Sequence, residues 1–273
     1  MKALHLHLIS DSTGETLDML AKACLAQFDN VEAIPHPWPM VRSEGHLDRV
    51  LDDVEQRPGL VLFTIVNPAT RRALEQKCRR RGIHAVSVLD PVLDALAAVS
   101  GEQAKGRAGR QHALDAAYFA RVDAIQFTVA HDDGVGAENW EEADIVLAGV
   151  SRTSKTPTSI YLANRGYKVA NVPLVPESPP PPALFALRHP LVVGLTTNSD
   201  RLVQIRRNRL LALNQAPATD YVDLEAVNSE LAFARRLFAD HNWPVIDVTR
   251  RSIEETALAI AKHYNDRLEA QPA

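Results

Sequence analysis

The chain has little that would staple, anchor or strongly charge it. Only two cysteines, Cys24 and Cys78, occur in 273 residues. Both sit in helix-like apolar patterns, which fits reduced core thiols in a reducing compartment and excludes a disulfide scaffold. No apolar run reaches the roughly 18 residues needed to cross a bilayer. The opening segment 1–9, MKALHLHLI, is too short and too alternating for a signal peptide and reads as a first strand. A cytoplasmic protein is therefore expected. Positive charge is not in excess: 30 Lys and Arg face 34 Asp and Glu, a formal net charge of −4. That balance argues against bulk nucleic-acid binding, although local Arg clusters occur. No internal repeat is present. What remains, 46% hydrophobic and 23% charged residues, is an ordinary globular composition, with length for one large or two modest cores.

Strand-like and helix-like patterns alternate along the chain. Strands are expected at 4–9, 31–34, 60–66 and 84–89, with helices at 15–28, near 44–56, and from Asn67-Pro68 to a stop at Gly82. Residues 101–110 are rich in Gly, Lys and Arg without periodicity and read as a loop. Residues 124–130 alternate like a strand and empty into His131-Asp132-Asp133-Gly134. Five prolines in the seven residues 176–182 demand an extended connector. Strands at 191–195 and 245–248 and helices at 201–213 and 228–241 follow. A capping box, Ser252 with Glu255, starts the last helix. The expectation is an α/β protein: an N-terminal α/β half with a mainly parallel sheet (1–135) and a C-terminal P-loop-containing α/β half (136–273).

The most informative stretch is 144–175. An apolar strand runs into Gly149-Val150-Ser151-Arg152-Thr153-Ser154-Lys155-Thr156, then a short helix and a second apolar strand. A phosphate-binding P-loop reads G-x-x-x-x-G-K-[ST], and Ser154 stands where the second Gly belongs. The residue types suit the chemistry. Successive loop N–H groups and the helix N-terminus cradle a polyphosphate, Lys155 supplies a mobile positive charge, and the Thr156 hydroxyl is a ligand for Mg²⁺. Pro157 costs nothing in a first helical turn. An ordinary βαβ crossover with a polar turn is the alternative.

Other constellations are weaker. Asp132 and Asp133 end a predicted strand, where α/β folds place ligand groups, so one could take a hydroxyl proton and the other hold a metal; a surface turn is the plainer reading. Asp247 and Asp90 end apolar strands as metal-ordering carboxylates do. Arg201, Arg206, Arg207 and Arg209 suit a phosphate or simply a solvated helix face. Ser10–Glu15 is either an anion-binding helix start or a well-capped one.

Taken together, ISDSTGET at 9–16, HDDG at 131–134, GVSRTSKTPTSIYLA at 149–163 and DVTRRSIEETA at 247–257 resemble, end to end and in order, the bacterial pyruvate, phosphate dikinase regulatory proteins and their relatives acting on phosphoenolpyruvate synthase. In that family Ser before the Lys is a tolerated variant. The resemblance implies a bifunctional enzyme. One activity uses ADP as phosphoryl donor to modify a Thr of the target, releasing AMP. The other removes that phosphate with inorganic phosphate as acceptor, producing pyrophosphate. It implies ADP binding by Gly149 through Thr156, a protein partner, no nucleic acid and no membrane. Oligomeric state stays open, a homodimer included. On physical grounds Lys155 steadies the β-phosphate, Asp132 or Asp133 accepts the hydroxyl proton, and Thr156 and Asp247 are the Mg²⁺ candidates. A small-molecule kinase or generic P-loop NTPase is the competing class.

Overall fold

The computed structural model describes residues 3–109, 116–213 and 220–270. The chain divides into two compact units, Met1–Ala113 and Leu114–Ala273.

The first unit alternates β1 (Leu4–Ser10), α1 (Glu15–Leu25), β2 (Ala33–Trp38), α2 (Glu44–Gln56), β3 (Gly59–Thr64), α3 (Pro68–Arg81), β4 (Ala85–Ser87) and α4 (Asp90–Ser100). Its sheet is parallel with order β2-β1-β3-β4. Alternation along β1 divides the strand between two cores. Leu6 and Leu8 pack on Leu17 and Ala21 of α1, and Ile9 joins Leu47, Leu51, Phe63 and Leu74 on the opposite face. The helix signals read from sequence are realised. Asn67 caps α3 through the amides of Ala69 and Thr70, and Gly82 stops it at φ 65°. Cys78 is a buried thiol, but Cys24 is exposed, so only one of the two is a core thiol.

The second unit contains α5 (Ala116–Ala130), β5 (Ile145–Gly149), α6 (Lys155–Ala163), β6 (Val169–Pro173), α7 (Ala183–Ala186), β7 (Leu191–Thr196), α8 (Ser199–Ala212), α9 (Leu224–Asp240), β8 (Val245–Asp247) and α10 (Ile253–Ala270). Its sheet is again parallel, with order β6-β5-β7-β8. β5 and β7 are buried along their whole length, as the unbroken apolar runs require. One face is covered by α8 and α9 through Leu202, Val203, Leu231 and Phe238, the other by α6 and α10 through Leu162, Ala257 and Ile260. The capping box of α10 is reciprocal: Ser252 N–H donates to Glu255 Oε2 (2.8 Å), and Glu255 N–H to Ser252 Oγ (3.1 Å).

Two further expectations are corrected. Residues 124–130 form the last part of helix α5, not a strand. Ala124 and Thr128, four residues apart, are its buried positions, and Thr128 Oγ1 accepts from Val169 N–H at 3.0 Å. The division of the chain also lies earlier than 135/136. Because α5 and the segment after it bond to β6, they belong to the second unit. The acidic turn at 131–143 is packed into that unit, through Gly134 N–H to Asn171 O and the buried Trp140, and is not a linker. Among the described residues no helix is long and apolar enough to cross a membrane.

Candidate functional site

In an open parallel sheet, ligands bind beyond the carboxyl ends of the strands, where successive connections leave in opposite directions. In the second unit that place lies between β5 and β7, and the loop 150–154 occupies it. Gly149 makes the approach to β7 feasible. A Cβ there would stand 2.7 Å from Leu195 O and 2.8 Å from Thr153 Oγ1. Beyond it the loop is turned twice by left-handed residues, Arg152 at φ 72° and Ser154 at φ 63°. Ser154 thus takes the backbone that a Gly would take, at a cost of about 1 kcal/mol. The Thr153 hydroxyl, fully buried, donates to Val150 O (2.9 Å) and ties the turn together. Thr153 N–H closes a turn on Val150 O, and among the described residues nothing accepts a hydrogen bond from the amides of Ser151, Arg152, Ser154, Lys155 and Thr156. A run of unpartnered N–H groups at a helix start is an anion-binding concavity.

Lys155 opens α6 and turns back, its Nζ donating to Val150 O at 3.1 Å. It is only 6% exposed. Burial pulls its pKa down to about 8; Asp133 and Asp132 oppose that shift, while Arg152 and Arg206 add to it. The loop bounds a cavity of about 500 Å³, whose polar wall is Asp133, Ser151, Arg152, Ser154, Lys155 and Thr156 and whose apolar wall includes Pro157, Pro173, Val175 and Ile205.

Both aspartates reach this site because their segment docks on the free edge of β6. Asn171 N–H donates to His131 O (3.2 Å), and Gly134 N–H donates to Asn171 O (2.8 Å). The fully buried Asn171 side chain holds the pair from within. Its Nδ2 donates to Asp132 Oδ1, and its Oδ1 accepts from Asp133 N–H at 3.2 Å. Asp132 Oδ1 also accepts from the Thr156 hydroxyl (2.9 Å). Asp133, at φ 57°, lines the cavity, and its carboxylate bonds no described residue. The two carboxylates therefore differ: Asp132 is tied to Thr156 and Asn171, whereas Asp133 is presented to the cavity. His131 is structural, with Nδ1 against Phe127 O (2.7 Å) and its ring stacked on Phe127.

The other predicted residues lie apart from the cavity. Asp247 is on β8, separated from β5 by β7. Its carboxylate accepts from the amide and hydroxyl of Thr249. Burial pushes its pKa up, and Thr249 with Arg235 and Arg251 more than reverses this, so the net direction is down. Asp90 pairs with Arg71 in the first unit. Of the Arg group on α8, Arg201, Arg207 and Arg209 are exposed, but Arg206 is fully buried. It makes a two-pronged pair with Glu230 (2.9 and 2.6 Å) and donates to Ser151 O and Tyr221 O. At 10–15, Gly14 rather than a hydroxyl residue caps α1, without a side-chain bond. Ser10, Asp11 and Gly14 line a smaller cavity of about 170 Å³ in the first unit. Sequence reasoning missed Asn171, Tyr221 and Glu230. Only Asn171 carried a signal, as a lone polar residue inside the apolar strand 169–173.

The profile of the kinase/pyrophosphorylase family matches residues 6–261. A protein of Rhizorhabdus wittichii is 69% identical over 267 residues, spanning 98% of this chain and 97% of its own. One from Sphingopyxis alaskensis is 68% identical over 270 residues, spanning 99% and 100%. A third, from Caulobacter vibrioides, is 53% identical over 256 residues, spanning 94% and 81%. All three carry the provisional name pyruvate, phosphate dikinase regulatory protein.

Proposed function

The chain belongs to the kinase/pyrophosphorylase family, and from that premise we propose that it is a two-way regulatory phosphotransferase acting on a Thr of pyruvate, phosphate dikinase. In one direction ADP is the donor: the Thr oxygen attacks the β-phosphorus, the bond to the α-phosphate oxygen breaks, and AMP leaves. In the other, inorganic phosphate attacks the phosphothreonine phosphorus, the Thr oxygen leaves, and pyrophosphate forms. The names of the relatives favour the dikinase over phosphoenolpyruvate synthase as target.

The observation that carries this reading is the Asp133 carboxylate in the same cavity as Lys155 and the unpartnered loop amides. Phosphoryl transfer needs positioning and charge stabilisation more than covalent help. The unpartnered loop amides and Lys155 hold the phosphate that moves. Asp133 takes the hydroxyl proton in the forward direction and returns it to the leaving Thr oxygen in reverse. One cavity serves both directions, because phosphate plus phosphothreonine presents nearly the charges of ADP plus threonine.

Mg²⁺ is a hard cation that takes few protein oxygens and completes its shell with phosphates and water. The Thr156 hydroxyl and Asp132 carboxylate suit it; Asp247, spent on Thr249 and away from the cavity, does not. When bound there it would neutralise charge on the phosphate chain.

The test is phosphothreonine formation on purified dikinase with ADP, alongside ADP affinity. Asp133→Asn is expected to lower phosphorylation at least ~100-fold with ADP affinity kept within ~3-fold. Near-normal phosphorylation by Asp133→Asn would remove it as the base. Asp132→Asn is expected to weaken nucleotide binding as well as turnover. A generic small-molecule kinase would instead turn over ATP or GTP without a protein partner, which parallel assays with the three nucleotides expose.

A further inference from the structure

Besides Lys155, the only cation on the cavity wall among the described residues is Arg152. It projects from the tip of the loop at φ 72° and is exposed. A free Arg side chain there would lose considerable rotamer entropy on gripping a phosphate. It is not free. Its Nε donates to the Tyr221 hydroxyl at 3.4 Å, while its two terminal nitrogens bond no described residue. The same hydroxyl lies 3.3 Å from Ser151 Oγ.

Tyr221 is itself held. The Arg206 guanidinium sits 4.4 Å from the centre of its ring, and Arg206 Nη1 donates to Tyr221 O at 3.1 Å. Arg206 Nη2 meanwhile donates to Ser151 O at 3.2 Å, so one buried guanidinium grips both the tyrosine and the loop. Burying the Arg206 guanidinium against a partly exposed Glu230 is seldom a net gain in stability, and among the described residues Arg206 Nε has no hydrogen-bond partner, a further cost. A core that needed only packing would be better served by apolar side chains. The arrangement is intelligible as a brace that fixes one loop against one tyrosine.

We propose that Tyr221 is a positioning residue: its hydroxyl aims Arg152 so that both terminal nitrogens fork onto the phosphate chain, with Arg206 and Glu230 as the anchor. This rests on the reading of the cavity as the phosphate site. The pair then divides the work with Lys155. Lys155 is a point charge drawn back under the loop, and Arg152 closes over the phosphate from the solvent side with the planar geometry that suits two phosphate oxygens.

The test compares wild type, Tyr221→Phe, Arg152→Ala and the double variant in calorimetric binding of ADP and of pyrophosphate, with thermal unfolding beside it. Tyr221→Phe keeps the ring on Arg206 and removes only the hydroxyl. It is expected to weaken both ligands about 3- to 10-fold, the worth of one hydrogen bond, with an unchanged unfolding temperature. Arg152→Ala is expected to weaken them about 10- to 100-fold. The double variant is expected to bind no more weakly than Arg152→Ala, because Tyr221 acts through Arg152. An unchanged affinity for Tyr221→Phe, or losses that multiply in the double variant, would overturn the proposal. If the wild type binds neither ligand, the reading of the cavity falls and the proposal with it.

Discussion

Lys155 carries its charge to a place from which water has been largely removed. A buried ammonium whose pKa has dropped from 10.5 to about 8 is still mostly protonated at pH 7, so the folded protein bears the cost of burying it. Since the folded pKa lies below the unfolded one, the stability linked to this group is present above pH 10.5 and is lost as pH falls through 8. The expected outcome is that Lys155→Met, which keeps the stem and loses the charge, is more stable than wild type without ligand at pH 7. The gain is about 1–2 kcal/mol after allowing for the lost bond to Val150 O. The difference shrinks as pH rises from 8 to 10, and ADP binding is abolished. Denaturant unfolding at several pH values checks it. Ser154 was legible in the sequence as a departure from the general motif. That it would adopt a left-handed backbone was not, because only Gly and Asn advertise that conformation. Ser154→Gly relieves that strain but adds freedom to the unfolded chain. A change in stability within about 1 kcal/mol is therefore expected from the same measurement.

At the scale of elements, the sequence was clearest where a side chain signals its own backbone role. Asn67-Pro68, Gly82 and the Ser252–Glu255 box marked helix ends that the structure contains at those residues. It was misleading at 124–130, where Ile125, Phe127, Thr128 and Val129 favour a strand by local propensity. Packing against β6 decides for a helix, with Thr128 and His131 turned to that strand's edge. The same docking carries Asp132 to Thr156, a relation between residues 24 apart in the chain that no local pattern encodes. The strand–loop–helix unit itself was legible, and its tightest point is Gly149. Gly149→Ala would drive a Cβ into Leu195 O, a backbone atom that cannot swing aside. A loss of about 1–3 kcal/mol is expected, with a fall in pyrophosphate affinity, read by urea unfolding and calorimetry.

The whole molecule repeats one strand order in two parallel sheets, each central strand delivering a polar loop at its carboxyl end. The α/β class was readable from alternating patterns, but the division between units was not, since the turn-rich acidic stretch 131–143 looks like a linker and docks on the edge of β6. The first unit carries a separate pH sensitivity. His7 Nδ1 accepts from Trp38 Nε1 and its Nε2 faces Arg57 O, so a proton on Nδ1 would break the Trp38 bond. His36 stacks on His7 and lies 2.9 Å from His5. Burial, then neighbouring cations, hold the pKa of His36 below 6.5. Burial also lowers that of His7; Arg57 and His5 add to this, and the Arg57 carbonyl and Asp53 oppose it. Stability linked to these rings is present above pH 6.5 and is lost as pH falls below it. Unfolding midpoints are expected to drop between pH 7.5 and 5.5, and less so in His36→Asn.

Two-way phosphotransfer is tested most directly by a sequential reaction with purified pyruvate, phosphate dikinase. The protein and ADP are added first, and phosphothreonine is mapped by mass spectrometry while AMP is quantified. ADP is then removed, inorganic phosphate is supplied, and pyrophosphate release is followed. The expected result is one modified Thr with equimolar AMP, its reversal with equimolar pyrophosphate, and neither reaction with Lys155→Ala. Phosphothreonine that fails to form with ADP, or that persists with Lys155→Ala, would contradict it.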